Sequence, residues 1–288
     1  MPVALVTDST AYLPAELAAA TPAPLTVVPL HVVIGGSERR EGVDVSVRDL
    51  SEALRAFTPV STSRPSPLEL LAAYEAAAGA GATEVVSVHL SSAMSGTYES
   101  AVLAAQLSPV PVQVVDSRSL GMAMGFAVLA AAAASARGDS AHEVAEIAGR
   151  CARSAEVVFY VDTLEYLRRG GRIGAASAML GSALAIKPIL TLVDGSIRPL
   201  ERVRTSGRAL ARLADLTTAA AARMQTAGAV VDIAVQHLDS PDRARALAAT
   251  LRQHMPEVGH LVVAELGAVV GAHVGPGTLA VVASPRPH

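Results

Sequence analysis

The first half of the chain alternates short apolar runs with helix starts, and this alternation constrains the fold more than any other feature. Apolar runs occupy residues 3–6, 26–34, 84–90 and 112–115, and a polar loop with Gly35 and Gly36 follows the second. Helical signals lie between them. Pro14 suits a first helical position with Glu16 close behind, and residues 48–57 are amphipathic at helical spacing. Ser66-Pro67-Leu68-Glu69 joins a cap, an N1 proline and a capping-box glutamate. Ser95-Gly96-Thr97 opens a helix reaching Gln106, residues 121–136 form an Ala-rich helix, and Ser140-Ala141-His142-Glu143 repeats the capping box. Strand, helix, strand, helix predicts parallel βαβ units and a Rossmann-like sheet.

The second half follows a different rule. Residues 157–161 read as a strand, and a helix then stops at Gly170-Gly171. Two apolar runs, 189–193 and 197–203, meet at Asp194-Gly195, a strong hairpin signal. A helix over 206–224, a strand over 230–236, a helix capped by Ser240-Pro241 and strands over 260–265 and 278–283 complete the chain. These predict an α+β domain with antiparallel strands and helices on one side. The expected fold is therefore α/β with two domains, 1–155 and 156–288, divided near Ala155.

Composition narrows the function. The chain has 288 residues, 51% hydrophobic and 17% charged, which supports a sizeable core and excludes disorder. Its net charge of −3 provides no basic field for nucleic acid. One cysteine, Cys151, excludes an intramolecular disulfide and a cysteine-rich metal site. The longest uncharged run, 119–136, is rich in Ala and Gly and reads as a buried helix rather than a membrane span. The N-terminus lacks a basic segment followed by a long apolar one. A soluble, cytoplasmic protein with at most transient membrane contact is expected. Phosphate-loop, dinucleotide, nucleophile-elbow and zinc-protease motifs are absent, so neither metal nor cofactor is expected.

Three strands of the first half run into small polar residues: Thr7-Asp8-Ser9-Thr10, Ser91-Ser92 and Asp116-Ser117. Parallel sheets bind ligands beyond the carboxyl ends of their strands, so these groups share one rim. Taken singly, each is also an ordinary helix cap. Ser95-Gly96-Thr97 places open N–H groups and hydroxyls at a helix start, suited to a phosphate or carboxylate. Thr62-Ser63-Arg64-Pro65-Ser66-Pro67 sets small hydroxyls on a rigid turn. Residues 271–277 read as a tight Gly-rich turn between two strands, with His273 projecting from it. Arg168, Arg169, Arg172, Arg198, Arg202, Arg204 and Arg208 make mid-chain basic, either as a solvated face or as a docking patch.

Together, TDST at 7–10, STSRPSP at 61–67, SSAMSGTYESA at 91–101, VDS at 115–117, LRRGGRI at 167–173, IKPIL at 186–190, DGSI at 194–197 and GAHVGPG at 271–277 resemble the DegV family of fatty-acid-binding proteins, the binding subunits of bacterial fatty-acid kinase. The resemblance spans nearly the whole chain. It implies a two-domain α/β fold with a long-chain fatty acid between the domains. It further implies that Thr62, Ser92 and His273 hold the carboxylate, with Ser95 and the Gly96 N–H as alternatives to Ser92. An ATP-dependent kinase partner would phosphorylate the bound acid, the acyl-phosphate would feed phospholipid synthesis, and Arg172 and Arg202 would serve docking. Arg64 departs from the family, which often has a small or amide residue there.

Elementary energetics fit such a ligand. Burying a tail of about 15 methylenes gains about 12 kcal/mol gross. The buried carboxylate then needs several hydrogen bonds. Two other readings compete. One is a hydrolase of lipid esters using Ser92 or Ser95, His273 and Asp8 or Asp116. The other is a phosphate or nucleotide sensor built on helix N-termini.

Overall fold

The structure is a computed structural model and describes residues 3–179 and 186–287, which leaves Met1 and Pro2 of the N-terminal stretch outside. The N-terminal half runs β1 (Val3–Asp8), α1 (Ala15–Ala19), β2 (Leu25–Val28), β3 (His31–Ile34), β4 (Ser37–Arg40), α2 (Val47–Arg55), β5 (Val60–Ser63), α3 (Pro67–Gly79), β6 (Glu84–His89), α4 (Thr97–Ala105), β7 (Val112–Asp116), α5 (Met122–Arg137) and α6 (Ala141–Ser154). Strands β2, β1, β6 and β7 pair in that order, all parallel. The register sets Thr7 beside Val88 and His89 beside Asp116, so the polar ends of three strands do share one edge.

The C-terminal half runs β8 (Glu156–Tyr160), α7 (Glu165–Arg169), β9 (Lys187–Val193), β10 (Ser196–Val203), α8 (Ser206–Thr226), β11 (Val231–His237), α9 (Pro241–His254), β12 (Leu261–Glu265), α10 (Ala268–Val274) and β13 (Leu279–Pro285). Its sheet has the order β10-β9-β8-β13-β11-β12, antiparallel except between β11 and β12. The β9–β10 hairpin turns at Asp194 and Gly195 with φ of 49° and 77°, the two positive values a type I′ turn requires. Ser46, Ser66 and Ser140 form capping boxes with Asp49, Glu69 and Glu143, each cap contributing about 1 kcal/mol.

The two sheets share their middle layer. In the parallel sheet, Ala4, Val6 and Val85 face Leu70, Tyr74 and Ala101 of α3 and α4. The alternate residues Val3, Leu5, Val86 and Val88 face Val128, Ala131, Val144 and Ile147 of α5 and α6. In the second sheet, Val231, Ile233, Val281 and Ala283 pack on Leu213 of α8 and Leu247 and Leu251 of α9. Their neighbours Ala234 and Val282 pack on Ala123, Phe126 and Ala127 of α5 and on Cys151 of α6. Helices α5 and α6 thus lie between two sheets. A helix placed as α5 is must be apolar on all sides and thin, which is why its run holds alanine and no charge before Arg137. Among the described residues, no helix is long and apolar enough to cross a membrane.

Four expectations need correction. Helices cover both faces of the second sheet, because α5 and α6 supply the face that its own helices leave open. The run 26–34 is two strands in different sheets, β2 and β3, separated by Pro29 and Leu30. Proline cannot donate to a ladder, so the strand ends there, and Leu30 N donates to Ser9 Oγ at 3.0 Å instead. The polar loop after Gly36 is strand β4, which pairs in a small antiparallel sheet of order β4-β3-β5. Its residues are polar because most of them are exposed. Finally, residues 271–277 do not form a turn between strands. Gly271 belongs to α10, where a side chain would collide with Leu50 and Leu238, and His273 occupies the last turn of that helix. The middle layer yields a test. Ala131→Leu, fully buried between the sheets, should lower stability in urea by about 1–3 kcal/mol with an unchanged m-value. Ala133→Leu, exposed on the same helix, should stay within about 0.5 kcal/mol.

Candidate functional site

Strand β5 presents Thr62, the turn before α4 presents Ser95 and Gly96, the segment after α7 presents Arg172, and α10 presents His273. These five line a cavity of about 160 Å³. Ser63 and Arg64 join them at the polar side, and the apolar wall comes from both halves: Leu30, Leu90 and Leu120 from one, Leu167, Ile197 and Val269 from the other. At its polar pole Thr62 Oγ1 lies 2.8 Å from His273 Nε2, a contact between residues 211 positions apart. Ser95 Oγ lies 2.9 Å from Thr97 Oγ1. Gly96 is the N-cap of α4 and has no side chain to occupy the first-turn N–H groups. Its missing β-carbon also admits Arg64, whose Nη1 donates to the Gly96 carbonyl at 3.2 Å.

Burial, with the Arg172 charge adding to it, pushes the His273 imidazole down to about 4, so the ring is neutral at neutral pH. Nδ1 is buried and has no hydrogen-bond partner. Arg172 braces two segments: Nε donates to Met94 O at 3.1 Å and Nη1 to Gly170 O at 2.7 Å. Thr62, Arg172 and His273 also line an outer groove of about 450 Å³, together with Phe57, Tyr166 and Arg169. The site therefore joins an apolar wall to one pole of hydroxyl, imidazole and guanidinium groups. Such an arrangement suits an anionic head group attached to an apolar body.

Ser92 stands apart from this cluster. It is not in the cavity wall, and its Oγ and N–H both donate to Asp116, at 2.5 Å and 3.2 Å. Arg202 lines neither space and donates to Ala178 O at 3.4 Å. The hydrolase constellation is not brought together. Asp8 accepts from Thr10 and from Leu90 N, Asp116 accepts from Ser92, and neither is bonded to His273. A different chain of groups does form. Ser87 Oγ lies 2.7 Å from His89 Nε2, His89 Nδ1 lies 3.0 Å from Asp8 Oδ2, and Tyr74 donates to Ser87 at 2.9 Å. All four residues are fully buried, so this is an internal strut that ties β1, β6 and α3 together. Among the described residues, no group of three or more His, Cys, Asp or Glu is placed to hold a metal.

Sequence reasoning missed Glu41. This buried carboxylate accepts from Ser9 Oγ at 2.5 Å, Tyr12 OH at 3.1 Å and Val269 N at 2.7 Å. It anchors the first turn of α10, and burial pushes its carboxyl up. No local pattern marks it, since its partners come from distant segments. It also lines a larger cavity of about 620 Å³ that includes Tyr12, Leu13, Val27 and Val263. None of Thr62, Ser95, Gly96 and His273 reaches that space. The first turn of α10 lies between the two, with Ala268 lining the larger and Val269 the smaller.

The family model for uncharacterised proteins of the DegV family matches residues 2–286. The chain belongs to the DegV family. A DegV domain-containing protein of Streptomyces coelicolor is 51% identical over 284 residues, covering 99% of each chain. A DegV family protein from Thermus thermophilus, described for its fatty acid binding, superposes with a TM-score of 0.91 at 34% identity, covering 99% of this chain and 100% of that one. DegV of Bacillus subtilis, described as a fatty acid binding protein, superposes with a TM-score of 0.89 at 32% identity and the same coverage.

In this DegV protein, the His273 shift ties stability to pH. Its folded value lies below the ordinary one, so the neutral ring's contribution is complete above about pH 6.5 and is lost as pH falls toward about 4. The ligand-free protein should lose on the order of 2–3 kcal/mol more over that interval than His273→Asn, measured by urea unfolding at each pH.

Proposed function

We propose that this protein binds a long-chain fatty acid between its two halves, residues 1–155 and 156–288, and presents the carboxylate to a separate ATP-dependent fatty-acid kinase. The observation that carries the proposal is the Thr62–His273 pair at the polar end of an apolar cavity lined by both halves. The fatty acid binding described for the relatives from Thermus thermophilus and Bacillus subtilis supports it.

A carboxylate only accepts hydrogen bonds, so Thr62 must donate its hydroxyl proton to it. Thr62 Oγ1 then accepts from His273, which requires the neutral tautomer protonated on Nε2. Ser95 and the N–H groups at Gly96 and the start of α4 supply further donors, and they replace Ser92 in this role. At about 30 Å³ for a group the size of a water or methylene, 160 Å³ takes the head and a few methylenes. The remaining tail therefore opens the apolar interface between the halves, where Leu30, Leu90 and Ile197 belong to one continuous core.

The chain carries no nucleotide-binding loop, so the phosphoryl donor is bound by the kinase. A carboxylate oxygen attacks the γ-phosphorus of ATP, the bond to the β-phosphate oxygen breaks, and ADP leaves with the acyl-phosphate formed. That product feeds phospholipid synthesis. The outer groove gives the kinase access, with Arg172 and Arg202 as docking contacts. The protein is a cytoplasmic carrier without catalysis or cofactor of its own, and it touches the membrane only transiently.

Native mass spectrometry of the purified protein should reveal a bound acyl chain, or binding of added palmitate. Thr62→Val should weaken palmitate binding at least about tenfold while leaving the melting transition in place. Absence of any acyl binding overturns the proposal. Arg202→Glu should bind palmitate as the wild type does yet lose kinase-dependent phosphorylation. Unchanged phosphorylation removes Arg202 from the docking surface.

A further inference from the structure

We infer that Gly170 is a positioning residue for the head-group site: its missing side chain allows the His273 imidazole to lie against the backbone after α7, and that contact aims Nε2 at Thr62. This rests on the proposed fatty-acid site. A β-carbon at Gly170 would overlap Nδ1 of His273 and lie 2.8 Å from Cε1 and 3.2 Å from Cγ. The ring therefore occupies the volume that any side chain at 170 would take. The same contact accounts for Nδ1, which is buried and unpartnered because it faces the glycine rather than a polar group.

The two adjacent glycines serve different purposes. Gly171 has φ of +70°, the left-handed value that ends a helix, and nothing lies within 4 Å of its side-chain position. Gly170 has φ of −73° and ψ of −8°, an ordinary helical conformation that alanine adopts without strain. The turn therefore requires glycine at 171, while only the imidazole requires it at 170. The contact is reciprocated nearby, since a β-carbon at Gly275 would run into the ring of Tyr166 on α7. Each segment thus seats an aromatic ring of the other on a glycine. Arg172 holds the arrangement from outside through its bond to Gly170 O. A side chain at 170 would push the imidazole toward the cavity or out of it and break the contact with Thr62.

Because the backbone at 170 suits alanine, any fall in melting temperature of Gly170→Ala should come from the collision with the imidazole and be recovered in Gly170→Ala/His273→Ala. Gly170→Ala should weaken palmitate binding at least about tenfold by calorimetry, and in a His273→Ala background it should change binding less than about twofold. If Gly170→Ala alone fails to fold, the double variant must restore folding, since the collision is with the imidazole. In ligand-free protein, nitrogen NMR should show the His273 ring titrating near 4 in the wild type and closer to the ordinary 6.5 in Gly170→Ala. Wild-type titration of His273 in Gly170→Ala overturns the inference, as does a binding loss equally large without the imidazole. If the NMR shift appears but no variant alters palmitate binding, Gly170 still sets the ring and the fatty-acid site is what fails.

Discussion

A carboxylate enters an apolar interior only where donors wait for it, and the donors proposed for it in this fold are divided between two halves of the chain. The Thr62–His273 contact is the point at which they meet. Thr62 sits on β5 of a small sheet belonging to the first half. His273 sits at the end of α10, which follows the last parallel strand of the second. Neither half holds the site alone, so the site exists only when the two sheets are correctly stacked on α5 and α6. The imidazole is neutral because it is buried, and in the proposed complex neutrality lets it pass a hydrogen bond to a hydroxyl instead of confronting the anion with a charge.

The scaffold holds these two side chains through packing at a distance. Glu41 pins the first turn of α10 to the loop after β1, so the helix that carries His273 is registered against the parallel sheet. The Asp8–His89–Ser87–Tyr74 strut fixes the strand whose end leads into Ser95 and Gly96. The Glu41 and Asp8 systems border the larger cavity, and the Thr62–His273 pair borders the smaller one across the first turn of α10. A buried polar network whose members are satisfied specifies a unique arrangement, and at Glu41 and Asp8 that arrangement fixes the elements that carry the cavity walls.

Much of this is legible in the residues. The capping boxes, the Asp194-Gly195 hairpin, the alternation of the first half and the uncharged Ala-rich helix are local signals, and the structure carries each of them. The small sheet is not legible, because β4 is exposed and polar and β3 hides behind Pro29 in what looks like one long strand. Helix α10 reads as a turn because glycine density signals one. Gly271 is there for another reason, close contact with Leu50 and Leu238. Ser92 and Ser95 cannot be told apart within their motif, since what separates them is Asp116, brought alongside by strand register. The partners of Glu41 and Gly170 are likewise set by tertiary contact, which no sequence spacing encodes.

The most direct test of the central claim is a crystal structure of the protein with its acyl ligand bound. The carboxylate should lie within hydrogen-bonding distance of Thr62 Oγ1, with its tail running between Leu90 and Ile197 into the shared core. A chain found instead in the larger cavity beside Tyr12 and Val263, with Thr62 and His273 still paired and touching no ligand, would contradict it.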